Sequence, residues 1–405
     1  MYSDQIIYQQ LPAARESLRI AVVTETYPPE VNGVAMTISR MVEGLQRRQH
    51  QIQLIRPRQS RRDNAAYGPQ FEEVLQRGVA IPRYDNLKMG LPAKQALLRL
   101  WSVKRPDIVH IVTEGPLGWS ALSAANKLRI PCSSDFHTNF HSYSKHYGIG
   151  WLRKPIVSYL RRFHNRAGCT MVPTAAMAEQ LRQGGYRGLR IVARGVDTRL
   201  FHPRKRSAAL RLEWRVTPQQ PVVLYVGRLA PEKNLPLVVR AFAAMKVVRP
   251  DARLVFVGDG PQRATLQSAH PDCHFAGMRI GEDLAAHYAS GDVFLFPSTT
   301  ETYGNVTVEA MSSGLAVIAY DYAAAAQHIQ HGRNGLVAHF DNADECIRLA
   351  AVLISDRQRI TEFGRRARLT AEAIDWECVH AEFEAALKSV IAAHESGNGT
   401  TRLSA

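Results

Sequence analysis

The chain has 405 residues with 45% apolar content, which is ordinary for a folded globular protein, and its length predicts about two domains. No apolar run reaches the roughly 18–20 residues of a membrane span, and the N-terminus lacks the pattern of a secretion signal. Five scattered cysteines without a C-x-x-C pair favour a reduced cytosolic compartment and argue against a cysteine metal site.

Positive charge is concentrated in the first half of the chain. Residues 1–200 hold 29 Lys/Arg and 14 Asp/Glu, whereas residues 201–405 hold 22 of each. This asymmetry favours an anionic partner for the first half, such as an acidic membrane, an acidic acceptor or nucleic acid. General solubility is the alternative explanation. We expect no nucleic-acid partner, because no nucleic-acid-binding motif is present.

The first half alternates predicted strands and helices, as in a doubly wound α/β sheet. Its apolar runs predict strands at 18–24, 51–55, 106–113, 131–140, 171–174 and 191–197. The loop after the first strand contains Asn32-Gly33, which can bring a backbone N–H to a ligand or form only a tight turn. His137 lies at the carboxyl end of the predicted strand 131–140, the edge where such sheets bind ligands, and we favour a functional role for it over a structural one.

A basic helix is predicted over residues 151–166. Arg153, Lys154, Arg161 and Arg162 alternate there with bulky apolar side chains. The segment is either an ordinary amphipathic helix packed on the sheet or an interfacial helix with its cations toward anionic headgroups. We assign the apolar face to packing and the basic residues to an acceptor or membrane surface.

The second half repeats the alternation. Strands are predicted at 221–227, 252–258, 273–277, 292–297, 315–321 and 334–338, and helices at 282–289, 343–354, 357–369 and 376–393. Arg228 and Lys233 follow the first of these strands, where two cations would neutralise a diphosphate and stabilise its departure. Two successive halves predict two Rossmann-like domains that face a central cleft, at 1–204 and 205–375, with a flexible tail at 396–405.

Two carboxylates, Glu301 and Glu309, have seven residues between them. On one continuous helix they would share a face about 12 Å apart, which is too far for one carboxylate pair to act on one bond. The apolar run that ends at Pro297 instead predicts a strand, followed by a turn at 303–305 and a helix from Val306. The free N–H groups of that helix start suit a phosphate, so we expect sugar, diphosphate and ribose contacts in order along this stretch.

In their order and spacing the motifs resemble the retaining glycosyltransferases of family 4, which have the GT-B fold. The matching pieces span residues 18–380. They are Pro28-Pro29 with Asn32-Gly33, Phe136-His137-Thr138, Gly195-Val196-Asp197, the Gly227–Asn234 loop, Gly258–Pro261, and Glu301-x7-Glu309.

The resemblance implies a role for each donor-side residue. Arg228 and Lys233 would hold the donor diphosphate, Glu301 would contact the sugar hydroxyls, and Glu309 would bind the ribose. Three backbone amides would assist at the diphosphate: those of Gly304, Asn305 and Val306. Enzymes of the GT-B fold need no catalytic metal or other cofactor, and no D-x-D motif is present to bind an ion.

The same resemblance implies contacts away from the diphosphate. The backbone near Met278 and Arg279 would meet the nucleobase, and His137 would reach the transferred sugar. Gly33 would place a backbone N–H near the phosphate across the cleft. The helix at 376–395 would cross back onto the first domain.

Three positions depart from the family pattern. Tyr303 stands where the family usually has phenylalanine. Arg194 lies in Ala193-Arg194-Gly195, where the family usually has Pro-Asn-Gly. The segment Ala323–His328 replaces the usual Gly-Gly-x-x-Glu. None of these changes removes a residue assigned above.

The sequence therefore predicts a metal-independent retaining hexosyltransferase with a UDP-sugar or GDP-sugar donor. We expect its acceptor to be a lipid at an anionic membrane surface and the enzyme to be cytoplasmic, peripheral on the inner face of the membrane. The alternatives are transfer to a soluble sugar or growing polysaccharide, and a non-catalytic nucleotide-sugar binder. The four charged donor-side residues argue against the binder, whereas nothing in the sequence separates UDP from GDP.

Overall fold

The computed structural model describes residues 17–30, 32–60, 62–81, 84–137, 153–374 and 376–402. The chain divides into two compact units. Unit 1 comprises Met1–Ser134 and Leu387–Ala405, and unit 2 comprises Asp135–Ala386. The domain limits predicted above follow the repeat of strands and helices, and they stay a prediction.

Unit 1 is built on a parallel sheet around β1 (Arg19–Val23). β1 pairs with β2 (Gln51–Pro57) on one side and with β7 (Ile108–Ile111) on the other. β2 pairs onward with β4 (Phe71–Gln76), and β7 with β8 (Cys132–Asp135). The strands β1, β7 and β8 lie inside predicted runs, and β2 overlaps one. β1 and β7 are largely apolar, as strands covered on both faces usually are, whereas the buried β8 has the sequence Cys-Ser-Ser-Asp.

Four strands of unit 1 lie between residues 67 and 90, where the sequence analysis predicted none. β3 pairs with β4 in antiparallel orientation, and β5 pairs likewise with β6. β4 is only partly buried and mixes Glu72 and Glu73 with apolar residues, so it lacks the continuous apolar run of an inner strand. The remaining elements of unit 1 are β3 (Tyr67–Gly68), β5 (Gly78–Ile81), β6 (Tyr84–Gly90), α1 (Gly33–Arg47), α2 (Lys94–Val103) and α3 (Pro116–Leu128).

The first part of unit 2 follows the end of β8. Phe136 N donates to Met171 O at 2.9 Å. The elements here are α4 (Arg153–His164), β9 (Cys169–Val172), α5 (Ala175–Gln183) and β10 (Leu189–Ile191), and β9 and β10 pair in parallel.

The strand predicted at 191–197 is largely wrong. Only Ile191 of that run belongs to β10, and residues 192–197 form a loop. The loop is tied to the segment that precedes the last helix, since Val196 N donates to Ile374 O at 3.3 Å. A Cβ on Gly195 would approach the Trp376 ring to 2.8 Å, which explains the glycine.

Unit 2 also holds a six-stranded parallel sheet in the order β13-β12-β11-β14-β15-β16. All six strands lie where the sequence predicts them, because most of their side chains are buried. Their bounds are β11 (Val222–Val226), β12 (Arg253–Val257), β13 (His274–Gly277), β14 (Val293–Phe296), β15 (Ala316–Tyr320) and β16 (Gly335–Ala338).

Helices cover this sheet, and the last one continues into unit 1. They are α6 (Ala208–Glu213), α7 (Leu235–Val248), α8 (Arg263–Ala269), α9 (Gly281–Ser290), α10 (Asn305–Ser312), α11 (Ala323–His328), α12 (Ala343–Ile354), α13 (Arg357–Glu372) and α14 (Trp376–Arg402). α14 extends beyond the predicted end at residue 393 and includes residues 396–402 of the predicted flexible tail. A glycine inside a helix costs only about 1 kcal/mol relative to alanine, so Gly397 and Gly399 do not end it.

Candidate functional site

Two loops that carry predicted site residues meet at the carboxyl edge of the six-stranded sheet. They follow β11 and β14, which are neighbouring parallel strands and therefore end at the same edge. Two hydrogen bonds join the loops: Asn234 Nδ2 donates to Pro297 O at 3.2 Å, and Thr300 Oγ1 donates to Glu232 O at 3.0 Å. Strand order thus brings together residues far apart in the sequence.

Lys233 and Glu301 form an ion pair between these loops. Lys233 Nζ contacts Glu301 Oε1, and Ser298 Oγ donates to the same carboxylate oxygen at 2.7 Å. Both charged side chains are largely enclosed, at 13% and 16% exposure. Tyr322 Oη donates to the backbone carbonyl of Glu301 at 2.6 Å and holds the loop in place. A cation and a carboxylate are thereby fixed side by side at the sheet edge.

Arg228 is positioned by a buried carboxylate. Its Nη1 lies 3.7 Å from Glu232 Oε1, and the Glu232 side chain is 1% exposed. The hydroxyl of Tyr225 donates to the backbone carbonyl of Arg228 at 3.1 Å. A buried carboxylate requires a compensating partner. Glu232 therefore favours a conformation in which the Arg228 guanidinium remains at the carboxyl edge of the sheet.

Glycines shape both loops. Gly304 has a φ of +88°, a left-handed conformation that favours glycine, and it turns the chain sharply into α10. The amides of Asn305 and Val306 therefore lie in the first turn of that helix, where N–H groups lack intrahelical partners. Gly258 packs so closely on the neighbouring loop that a Cβ there would lie 2.0 Å from Gly227 O.

Glu309 lies one turn into α10, as predicted. Tyr288 Oη donates to its Oε2 at 2.9 Å. Burial raises the pKa of Glu309 to about 7, and the hydrogen bond from Tyr288 opposes that shift. The carboxyl group is therefore partly protonated near neutral pH.

The predicted nucleobase segment lies in the loop between β13 and α9. The Met278 side chain is 54% exposed. The Arg279 side chain is turned back on its own loop, where Nε and Nη2 donate to Ala276 O at 2.9 and 2.7 Å and Nη1 pairs with Asp283 at 3.1 Å. The Arg279 side chain is thus occupied within its own loop, and the predicted nucleobase contact of this segment stays a prediction.

Gly33 is the first residue of α1 in unit 1. Asn32 caps this helix, because its Oδ1 accepts from Val34 N at 3.1 Å and from Ala35 N at 2.9 Å. The cap satisfies two amides of the first turn. The predicted phosphate contact of Gly33 stays a prediction.

α4 separates its apolar and basic residues as predicted. Leu160 and Phe163 are buried, and Leu160 belongs to an apolar cluster with Phe136 and Tyr186. The lysine and arginines whose side chains the structure describes on this helix are exposed: Lys154, Arg161 and Arg162. His164 at its end is buried. The side chain of Arg153 lies outside the described residues.

His137 is buried beside two charged groups. Its Nδ1 lies 2.5 Å from Arg194 Nη2, and its Nε2 lies 2.8 Å from Asp135 Oδ2. The motif residue Thr138 lies outside the described residues. Arg194 was noted in the sequence only as a departure from the family pattern.

Two further observations concern metal ions and membranes. In the described ranges, no group of three or more His, Cys, Asp and Glu side chains is arranged to hold a metal ion. No helix among the residues described here combines the length and the apolar composition needed to cross a membrane.

Comparisons with known proteins identify the family. The family model "Glycosyltransferase Family 4" matches residues 31–200, and the model "Glycosyl transferases group 1" matches residues 220–356. A GDP-mannose-dependent alpha-mannosyltransferase of Corynebacterium glutamicum is 34% identical over 365 residues, which cover 89% of this chain and 86% of the relative. The chain is a family 4 glycosyltransferase.

Other similarities agree with this assignment. An alpha-monoglucosyldiacylglycerol synthase of Acholeplasma laidlawii is 27% identical over 353 residues, covering 82% of this chain and 87% of the relative. The structure of sucrose-phosphate synthase from Thermosynechococcus elongatus aligns with a TM-score of 0.75 at 19% identity, over 93% of this chain and all of that one. The fold is GT-B, and the predicted fold class, family and hexosyltransferase activity are confirmed.

Several residues that contact the predicted site residues were missed or left without a role. Ser298, Tyr288 and Tyr322 each donate a hydrogen bond to one of the two glutamates. Glu232 was noted as a motif residue without a function. Its spacing of four residues from Arg228 was the available signal, since a carboxylate and a guanidinium at that spacing are often neighbours.

The raised pKa of Glu309 predicts a pH-dependent effect on stability. Between the ordinary value of 4.5 and about 7, the folded protein binds this proton more tightly than the unfolded chain. The free energy of unfolding contributed by Glu309 therefore falls as the pH rises through that window. We expect Glu309→Gln to raise the Tm relative to the wild type more at pH 8 than at pH 5.

Calorimetry at the two pH values measures this difference. Glu382→Gln, at an exposed carboxyl group, is the matched control and should give a small Tm change at both pH values. A Glu309→Gln effect that is the same at pH 5 and pH 8 would show that the carboxyl group is not held protonated by burial.

Proposed function

We propose that this glycosyltransferase transfers mannose from GDP-mannose, with retention of configuration and without a metal ion, to a lipid acceptor at an anionic membrane surface. The enclosed pair Lys233–Glu301, beside Arg228 at the same sheet edge, is the observation that carries the proposal. The names of the two relatives support the donor and the acceptor class, since one is GDP-mannose-dependent and the other makes a glucosyldiacylglycerol.

Lys233 and Arg228 stabilise the nucleoside diphosphate as the leaving group. In the proposed complex, Lys233 and Arg228 bind the diphosphate oxygens, where negative charge grows as the bond to the sugar breaks. The amides of Gly304, Asn305 and Val306 add N–H donors at the start of α10. With these groups in place, charge neutralisation does not depend on a bound metal ion.

The carboxylates orient the rest of the donor. In the proposed complex, Lys233 turns from Glu301 toward phosphate, and Glu301 accepts hydrogen bonds from sugar hydroxyls. Glu309 accepts from the ribose, and the backbone at Met278 and Arg279 meets the base. The mannose of GDP-mannose is α-linked. The name of the Corynebacterium relative specifies an α-linked product, so the same product here corresponds to retention of configuration.

Donor choice is tested by thermal shift. We expect GDP at about 100 times its Kd to stabilise the protein by about 2.7 kcal/mol, with a much smaller shift for UDP at the same concentration. Lys233→Ala should lose most of the GDP shift, whereas Lys246→Ala, at an exposed lysine paired with Asp272, should keep it. A larger shift with UDP would assign the other donor, and no shift with either nucleotide would contradict the donor site.

The basic surface of α4 supports the proposed membrane acceptor. Lys154, Arg161 and Arg162 are exposed on this helix, and they belong to the half of the sequence that carries the net positive charge. Each cation near an anionic surface contributes about 1 kcal/mol of attraction. The exposed side chains are therefore suited to a surface of anionic headgroups.

Vesicle flotation tests this surface. We expect binding to vesicles that contain anionic lipid at low salt, and about a 30-fold weaker partition for Arg161→Ala/Arg162→Ala, because two cations contribute about 2 kcal/mol. Arg365→Ala/Arg366→Ala removes an adjacent pair of exposed arginines from α13 and should not weaken binding. Absence of wild-type binding would overturn the membrane acceptor and favour a soluble sugar or polysaccharide.

A further inference from the structure

The three departures from the family pattern meet in one hydrogen-bonded chain, which is buried at Tyr303 and Arg194 and partly buried at His328. Tyr303 Oη lies 2.9 Å from the backbone oxygen of Arg194 and 3.0 Å from His328 Nε2. His328 is the last residue of the segment that replaces the usual Gly-Gly-x-x-Glu. Arg194 Nη2 then lies 2.5 Å from His137 Nδ1. Positions far apart in the sequence therefore form one network that ends on His137.

The direction of the hydrogen bond between Arg194 and His137 follows from the chemistry of these two groups. A guanidinium carries only donors, so Arg194 donates and His137 Nδ1 accepts. The ring proton of His137 is then on Nε2, which faces Asp135 Oδ2 at 2.8 Å. A ring rotated by 180° would direct its Cδ2–H at the guanidinium, and the acceptor for the Arg194 N–H would be lost. The hydrogen bond that Arg194 donates to Nδ1 thus selects one ring orientation and the neutral tautomer with its proton on Nε2.

The other end of the network is fixed in the same way. A carbonyl oxygen only accepts, so Tyr303 donates its hydroxyl proton to Arg194 O, and His328 Nε2–H donates to the tyrosine oxygen. Burial lowers the pKa of His328 to about 4 and raises the pKa of Tyr303, so both groups are neutral at neutral pH. Phenylalanine at position 303 would remove a partner from both the carbonyl and the imidazole.

Arg194 is a buried charge. Its exposure is 6%, and burial lowers its pKa while the Asp135 carboxylate opposes that shift. The ordinary pKa of arginine is so high that the group remains charged. His137 therefore lies between a cation on one ring nitrogen and a carboxylate on the other.

We propose that Arg194 is a positioning residue that holds the His137 ring with Nδ1 as acceptor and the proton on Nε2. Tyr303 and His328 hold the backbone of Arg194 in the conformation that makes this contact. The inference rests on the proposed function, in which His137 reaches the transferred sugar. There it specifies the tautomer of that ring, with the proton on Nε2 and none on Nδ1.

The ring-nitrogen spectrum of protein labelled with ¹⁵N-histidine tests the tautomer directly. The His137 signals are assigned by their loss in His137→Gln, or in His137→Asn if the first variant does not fold. We expect an unprotonated Nδ1 and a protonated Nε2 in the wild type, retention of both in Arg194→Lys, and a mixture of tautomers in Arg194→Met. A proton on Nδ1 in the wild type, or an unchanged spectrum in Arg194→Met, would overturn the proposal.

Kinetics separate this inference from the proposed function. Because a misplaced reactive group can cost about 100-fold in rate, we expect Arg194→Met to lower kcat by about that factor with little change in the donor KM, and Arg194→Lys to recover most of the loss. If Arg194→Met does not fold, Tyr303→Phe tests the same contact through the Arg194 backbone, with a smaller loss of kcat.

The two possible failures have different signatures. If His137→Gln is inactive and Arg194→Met retains wild-type kcat, only the positioning role fails. If His137→Gln retains wild-type activity, the proposed sugar contact of His137 fails, and the spectrum still decides the tautomer.

Discussion

Lys233→Ala is expected to lower kcat by about 100- to 1,000-fold, the usual cost of removing one preorganised group that stabilises developing charge. The lysine is 13% exposed and is held beside Glu301, so water replaces it poorly. The donor KM should rise less than kcat falls, because the diphosphate gains negative charge as it leaves. Steady-state transfer of labelled sugar measures both constants.

A surface lysine provides the matched control for this prediction. Lys246 pairs with Asp272 at 3.0 Å and is 40% exposed, and Lys246→Ala should leave kcat unchanged. Thermal unfolding of both variants separates a loss of fold from a loss of catalysis. Wild-type kcat in folded Lys233→Ala would remove the lysine from the proposed mechanism.

Glu301→Ala is expected to abolish detectable transfer while the protein stays folded. The carboxylate accepts from Ser298 and pairs with Lys233 in the free enzyme, and in the proposed complex it binds sugar hydroxyls. Glu301→Gln keeps the shape of the side chain but loses its charge. Since a hydrogen bond to a charged group contributes about 1.5–3 kcal/mol, kcat/KM should fall by about 10- to 100-fold in that variant.

The control for the glutamate is Glu282→Gln. Glu282 also pairs with a lysine, Lys205, but it is 78% exposed and lies outside the proposed site. GDP binding should survive in Glu301→Gln, because Arg228 and Lys233 still meet the diphosphate. Normal turnover by Glu301→Ala, measured as labelled product, would refute the donor site.

The sequence predicts the strands of the six-stranded sheet in unit 2 more completely than the strands of unit 1. The strands β11 and β15 are buried at every position and appear in the sequence as continuous apolar runs. β4 is only partly buried, and its sequence Phe-Glu-Glu-Val-Leu-Gln shows neither a continuous apolar run nor a regular alternation. The loop at 192–197 resembles a strand in sequence because Val192 and Val196 are apolar, but they are buried there without joining a sheet.

The site could be predicted residue by residue but not as an arrangement. Lys233 and Glu301 were both assigned from their loops, yet their contact joins positions 68 residues apart. That contact depends on β11 lying next to β14, and strand order is not encoded in any local pattern. The contact of Arg194 with His137, across 57 residues, was missed for the same reason.

Transfer of labelled mannose from GDP-mannose into lipid tests the central claim most directly. The reaction contains the purified enzyme, anionic vesicles with a diacylglycerol or phosphatidylinositol acceptor, and a chelator of divalent ions. We predict an α-linked mannosyl lipid in the organic extract, lost in Glu301→Ala and Lys233→Ala and retained in Lys246→Ala. An equal yield from Glu301→Ala, or no mannosyl lipid from the wild type, would contradict the account.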